Sequence, residues 1–358
     1  MSAVSSSVVG MGAELSAVDA RRSRAGTQLL RGSELAPAAV VERAVALQGQ
    51  DLPAVLRAIA IRSRPGTTVA DVRAAFDAGA LVRSWPVRGT LFATTPAHLA
   101  TLLFSTSERI QRADARRRTQ LGLDEAVFGR ARDLLGEALA ERPRSRSEAM
   151  ALWEAGGIAT AAGRGYHLLA HLCIDGLAHW GPFDEAGAEQ LLVLSATPPP
   201  ADPEAALAGV VRDLVLARGP MTEADVAWWT KLPLTTIRRA ASAVDDLVEV
   251  RVDGAPAWIV GEPASPEPSG VILVPGFDEW ILGYADRSLV ASPAMLAALV
   301  PGGNGVFRPA VLVDGVAVGT WRLARSRGSL EPVLELVERV PAAARRAIDR
   351  ALAAWPHG

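Results

Sequence analysis

The 358-residue chain has a single cysteine, Cys173, and a single lysine, Lys231. One cysteine excludes an internal disulfide and a thiolate zinc site. Its setting in LLAHLCIDGL is that of a small buried hydrophobe, so redox chemistry is not expected. No apolar run reaches the roughly 18–20 residues of a membrane span. The opening MSAVSSSVVGMGAEL lacks the positive stretch that precedes the apolar part of a secretory signal. A cytoplasmic protein with no membrane partner is therefore expected. His167, His171 and His179 have helical or near-helical spacing but no acidic or cysteine partners, so neither a metal nor a cofactor is expected. What the chain has in quantity is apolar surface: 49% of its residues are hydrophobic, enough for a large core and, by length, for two or three domains.

Net charge is only −2, so the molecule as a whole does not attract nucleic acid, and any such binding must come from local patches. Arginine-rich runs supply them at Arg21 to Arg24, Arg109 to Arg118 and Arg142 to Arg146. Arginine pairs with phosphate bidentately, although a single basic run reads equally as a solvated helix face.

Three segments share one pattern: short helices followed by a hairpin, as in a winged helix. The clearest runs from Arg218 to Val260. There Thr222 and Asp225 form an acidic capping box, LPL at 232–234 breaks the helix, Thr235 or Thr236 caps a second helix through Val244, and Asp253-Gly254 turns a hairpin. A second copy spans Ser145 to Phe183, with a Gly-Gly break and a helix from about Gly165; a first spans Thr67 to Pro96, where Thr68 and Asp71 start a helix. Proline-rich linkers lie at 195–204 and 261–270. Beyond them, short β runs with Gly/Asp turns suggest a small barrel or curled sheet, closed by a helix from Pro341 to Trp355. The expected units are 1–140, 141–200, 201–262 and 263–358.

The stretch AVALQGQDLPAVL, Ala44 to Leu56, places Gln48, Gln50 and Asp51 inside an apolar run. Residues two apart on a helix point about 200° away from each other, so a continuous helix would separate the two amides. Gly49 permits a break, Asp51 is a good N-cap, and Pro53 suits the first turn of a helix continuing to Arg62. In a locally extended segment, Gln48 and Gln50 fall on one side and point into one pocket. On the residues alone, the simpler reading is that these amides satisfy backbone groups at a helix junction.

LQGQD at 47–51, RSWPVRGTLF at 83–92, VAWWTKLPLTTIRRA at 226–240, LVPGFDEWILGYADRS at 273–288 and VLVDGVAVGTWRL at 311–323 resemble, in that order, the winged-helix family that contains the AlkZ and YcaQ DNA glycosylases. The resemblance spans about residues 15 to 355. It implies an α+β fold with three tandem winged helices and a C-terminal β-barrel-like subdomain, arranged as a C-shaped clamp. It also implies a partner, double-stranded DNA carrying alkylated bases, and excision of N7-alkylguanines, bulky adducts or cross-links, in repair or in self-resistance to a genotoxin. A monomer is expected. The catalytic motif of the AlkZ branch, glutamine, hydrophobic residue, glutamine, falls on Gln48-Gly49-Gln50, with glycine in the middle; many members also have histidine where this chain has Phe92.

The resemblance turns the two amides into candidate catalytic residues. An N7-alkylated guanine already carries positive charge, so its glycosidic bond breaks without a strong acid; stabilising the sugar cation and placing water remain, and glutamine oxygens suit both tasks. Lys231 lies far from the glutamines in sequence, so no Schiff base and no strand cleavage are expected. DNA-binding candidates are Arg62, Arg88, Thr90, Asp278, Arg287, Arg308, Trp321 and Arg322. Of these, Asp278 reads equally as a turn residue and Trp321 as core; the loop Pro301 to Pro309 is either a groove probe or an ordinary loop. The alternative function is a non-catalytic DNA-binding regulator.

Overall fold

The computed structural model describes residues 13–262, 267–326 and 329–355; the first twelve residues and 263–266 of the second linker lie outside them. Strand β1 (Glu14–Leu15) leads to α1 (Ala17–Thr27). Then follow α2 (Pro37–Ala44), β2 (Ala46–Gln48), α3 (Leu52–Ala60), α4 (Val69–Asp77), β3 (Val82–Val87) and β4 (Thr90–Thr94). Thr68 and Asp71 close the expected capping box on α4. Arg88 and Gly89 join β3 to β4 with φ of 56° and 67°, the doubly left-handed pair of a tight hairpin turn.

The 25-residue α5 (Pro96–Gln120) and α6 (Glu125–Glu141) connect to α7 (Arg146–Ala155), α8 (Arg164–Ile174), β5 (Ala178–Phe183) and β6 (Gln190–Leu194). Helices α7 and α8 part at the Gly-Gly break. Next come α9 (Pro203–Arg218), α10 (Glu223–Thr230), α11 (Leu234–Ala241), β7 (Leu247–Val252) and β8 (Ala255–Val260). The Thr222–Asp225 box forms, and Asp253-Gly254 turns the β7–β8 hairpin with φ of 47° and 79°. One local expectation is corrected. Helix α11 starts after Pro233 and places Thr235 and Thr236 inside its first turn, because proline has already set the chain direction and needs no hydroxyl cap. The last segment holds β9 (Val271–Val274), α12 (Glu279–Leu282), α13 (Pro293–Leu299), β10 (Ala310–Val313), β11 (Val316–Ser326), β12 (Ser329–Leu336) and α14 (Ala342–Ala354).

Three sheets organise the α+β chain. The hairpins of the first two segments merge into one sheet of order β2-β4-β3-β5-β6, joined where Arg83 pairs with Trp180. The third hairpin gains β1 as a parallel edge. The C-terminal sheet has order β12-β11-β10-β9 and does not close, which corrects the expected barrel. Closure is not needed to hide its faces. Helix α14 covers one through Ile348, Leu352 and Trp355, and Trp280, Met295 and Leu299 cover the other. Among the described residues no helix is long and apolar enough to cross a membrane.

The core that matters for function forms where the first and third segments meet. Val45, Ala46, Val87 and Phe92 pack with Val211 and Leu214 of α9, with Val226 and Trp229 of α10, and with Tyr284. The strand that ends in Gln48 therefore rests on the third helix–hairpin unit.

Candidate active site

Helix α2 ends at Val45, whose φ of 64° is a rare conformation for a β-branched residue. The kink turns the chain into β2, where Thr94 Oγ1 holds the Val45 carbonyl at 2.6 Å and Gln48 pairs with Phe92. Gly49 continues the extended course, its N–H donating to the Leu91 carbonyl at 2.7 Å. Asp51 then caps α3, accepting the Ala54 N–H at 2.9 Å. The bend expected at Gly49 to Asp51 is present, and Gln48 and Gln50 line one pocket of about 550 Å³.

The two amides are held as well as gathered. Gln48 Oε1 accepts the Gln50 N–H at 3.2 Å, and its Nε2 donates to Thr90 Oγ1 at 3.2 Å. Gln50 Oε1 accepts the Leu91 N–H at 3.4 Å. Satisfying backbone groups and facing a pocket are thus compatible: each carbonyl oxygen has a second lone pair free to act.

Two buried arginines fix the corner from outside it. Arg218 donates to the carbonyls of Ala44 and Ala46, both at 2.8 Å, and Arg83 Nε donates to the Gly49 carbonyl at 2.7 Å. Burial pushes the Arg83 guanidinium down to about 10, opposed by the Asp51 carboxylate. Neither was singled out in the sequence. Arg83 stood within a recognised block, but nothing local marks an arginine that binds a carbonyl 34 residues away.

Gly49 has a steric reason. A Cβ there would stand 3.0 Å from the Ala93 nitrogen and 3.2 Å from the Phe92 carbonyl carbon, both main-chain atoms of β4. Close strand approach takes the space a side chain would fill, and the Arg83 bond supplies the anchor. Gly49→Ala is expected to lower stability by about 1–3 kcal/mol through the forced shift of β4, read as a fall in the urea midpoint without a change of slope. An unchanged midpoint would show that β4 yields freely. Phe92 is fully buried, edge-on to Trp229 with ring centroids 5.7 Å apart, and Arg88 lies 5.0 Å over its ring.

Opposite the amides, the pocket is walled by Tyr166, Trp228, Phe277 and the loop Asn304 to Phe307. Phe277 has φ 58°, an outlier for a bulky residue of the kind found at functional sites. Among the described residues that line the pocket there is no carboxylate and no histidine. Lys231 does line it, which corrects the inference drawn from its distance in sequence: the left-handed backbone of Lys231 at the end of α10 brings its Nζ to 3.7 Å from the Trp228 ring centroid.

The expected DNA-binding residues divide into three groups. Thr90 and Arg88 line the pocket, but Arg88 is 8% exposed, and its terminal nitrogens donate to the Leu282 carbonyl and to Glu279, at 3.1 and 3.2 Å. Arg287 flanks the site, 5.7 Å over Trp228 and 5.5 Å over Phe307. Arg308 and Arg322 share a separate groove of about 400 Å³ on β11 and β12, behind the 301–309 loop. Arg62, Asp278 and Trp321 are corrections. Arg62 and Asp278 form a bidentate ion pair at 2.9 and 2.7 Å, with side chains 2% and 1% exposed, and so cannot reach a nucleic acid. Trp321 donates its indole N–H to the Val274 carbonyl at 3.0 Å and packs on Trp355. None of His167, His171 and His179 lines the pocket: His167 packs edge-on behind Tyr166 with ring centroids 5.3 Å apart, His171 stacks on Phe128, and burial lowers the His179 pKa.

The family model for DNA glycosylase AlkZ-like proteins matches residues 41–356, and the chain belongs to that family. A Streptomyces sahachiroi interstrand DNA cross-link repair glycosylase is 28% identical over 149 residues, which cover 39% of this chain and 40% of that protein. The chain thus spans well under half of this curated relative's length in the match. The solved structure of Streptomyces sahachiroi DNA glycosylase AlkZ superposes with a TM-score of 0.74 over 95% of this chain and 97% of that one, at 21% identity, which shows a shared fold.

Proposed function

We propose that the protein is a monofunctional, monomeric glycosylase that hydrolyses the N-glycosidic bond of alkylated purines in duplex DNA. N7-alkylguanines, bulky adducts and cross-links are its substrates, in repair or in self-resistance to a genotoxin in the cytoplasm. Units 1–140, 141–200 and 201–262 serve as tandem winged helices, which with residues 263–358 close as a clamp on the duplex. One observation carries this reading: among the described residues, two amides and no carboxylate line the pocket. A neutral purine leaves most readily when protonated, which calls for an acid at the site; a base already cationic leaves without one. The oxygens of Gln48 and Gln50 place partial negative charge near the sugar as its cation develops, and accept a hydrogen bond that orients the attacking water, whose proton passes to solvent once the C–O bond has formed. Tyr166, Trp228 and Phe277 offer faces and edges for an extruded base.

The amine of Lys231 lies 3.7 Å from the Trp228 ring centroid, where the attraction of the ring for a cation opposes the burial and the neighbouring arginines that lower its pKa. Methylated duplex DNA incubated with the protein is expected to release free 7-methylguanine and leave intact abasic strands, and borohydride is expected to trap no adduct. A non-catalytic regulator would bind the DNA and release nothing; a trapped adduct would refute the monofunctional assignment.

A further inference from the structure

Lys231 is not the only cation at the mouth of the pocket. Arg88 and Arg287 lie 4.9 and 5.7 Å over the same Trp228 ring, and the Lys231 amine is pulled below its ordinary value by desolvation and by Arg88, Arg109 and Arg287. Glu279 lies behind them, but its carboxylate is shared between Arg88 at 3.2 Å and Arg218 at 3.5 Å, and it accepts the Trp229 indole N–H at 2.7 Å. That carboxylate is paired with Arg88 and Arg218 and also acts on Arg287 from beyond ion-pair distance, so three arginines draw on one carboxylate. Among the described residues none of Lys231, Arg109 and Arg287 has a carboxylate within ion-pair distance.

Their donors are also unspent. Arg109 Nε and Nη2 are enclosed and have no hydrogen-bond partner, and burial lowers the Arg109 pKa. Arg287 gives its Nε to the Ile281 carbonyl at 2.8 Å, which leaves its terminal nitrogens for another acceptor. Enclosed guanidinium groups without acceptors are costly unless an anion joins them. The reaction proposed above sharpens the point, because a cationic base and a sugar cation would be repelled by three bare charges nearby.

We propose that Lys231, Arg109 and Arg287 form a seat for a backbone phosphate of the nucleotide held in the pocket. The phosphate neutralises the seat, and the seat fixes the sugar against Gln48 and Gln50. On α5, Arg109 is followed at helical spacing by Arg112, which is paired with Glu108, and by Arg116, both exposed, a helix face along which the strand would continue. This proposal rests on the glycosylase reading for its ligand but not for its test.

The intact chain is titrated, over a series of KCl concentrations, with a duplex carrying one tetrahydrofuran abasic analogue, which needs no base release. Each lost phosphate contact lowers the salt slope of log affinity by about 0.9. The Arg109→Ala, Lys231→Ala, Arg287→Ala triple variant, which loses the one seated phosphate, is therefore expected to lose about 0.9 in slope, while Lys231→Arg keeps it. Replacing the phosphate that flanks the analogue by methylphosphonate is expected to weaken the natural chain and leave the triple variant unaffected. Removing like charges is expected to leave the melting temperature no lower, and the single variants and the methylphosphonate test on the natural chain stand even if the triple variant folds poorly. Equal salt slopes, or equal weakening by methylphosphonate in both proteins, would overturn the seat. So would Lys231→Arg behaving as Lys231→Ala, because a phosphate seat needs only the positive charge. If base release fails while the slopes behave as stated, the glycosylase reading falls and the seat stands.

Discussion

Replacing Gln48 and Gln50 together by alanine is expected to slow release of 7-methylguanine by about 10²–10³-fold, the usual effect of removing preorganised polar groups from a reacting centre. Affinity for the tetrahydrofuran duplex should change little, because the backbone contacts remain. The two single variants differ in what else they disturb. Gln50 is exposed and spends only one long bond on the fold, so Gln50→Ala tests chemistry with little effect on stability. Gln48 is 8% exposed and joins the Gln50 N–H to Thr90. Its alanine variant also unfastens the corner, at a cost of about 1–3 kcal/mol for the unpaired groups. Single-turnover release, measured beside a melting curve, separates the two effects. An unimpaired double variant would remove the amides from the mechanism.

The second large effect is on stability. Arg62→Ala strands a carboxylate in the core, and the expected cost is about 3–5 kcal/mol, because Asp278 is 4% exposed and has no solvent to turn to. Arg62 also closes the carbonyls of Gln28 and Ala58, at 3.0 and 2.9 Å, so it fastens α1 and α3 to the loop that precedes α12. Asp278→Ala should cost a similar amount, and the double variant less than the sum of the two, as for any pair in which one removal exposes the other. Urea unfolding of the four proteins measures this coupling. Additive losses would show that the ion pair is screened and the structural role misplaced.

What could be read in advance was whatever is settled within a few residues. Asp51 caps α3, Thr68 and Thr222 open boxes three residues long, and Asp253-Gly254 turns a hairpin; each is fixed by local geometry and leaves a local signature. The bend at Gly49 was legible for the same reason, as was the placing of both amides on one side. Partners far apart in the chain were not. Arg62 and Asp278 are 216 residues apart, and an arginine bound for the core reads like one bound for a phosphate. Lys231 reaches the pocket because α9 and α10 pack on β2 and β4, which no motif near Lys231 announces. The open C-terminal sheet has strands that alternate like those of a barrel; the helices that cover its faces decide the difference.

Arg218 ties the start of β2 to the end of α9 and, through Glu279, to the C-terminal segment. The glutamine corner belongs to the first segment in sequence but takes its shape from the other two. A fragment ending near residue 200 would keep both glutamines and lose the clasp that aims them, so the corner is expected not to survive division of the chain. Lineages that shuffle such units would have to inherit the chain whole.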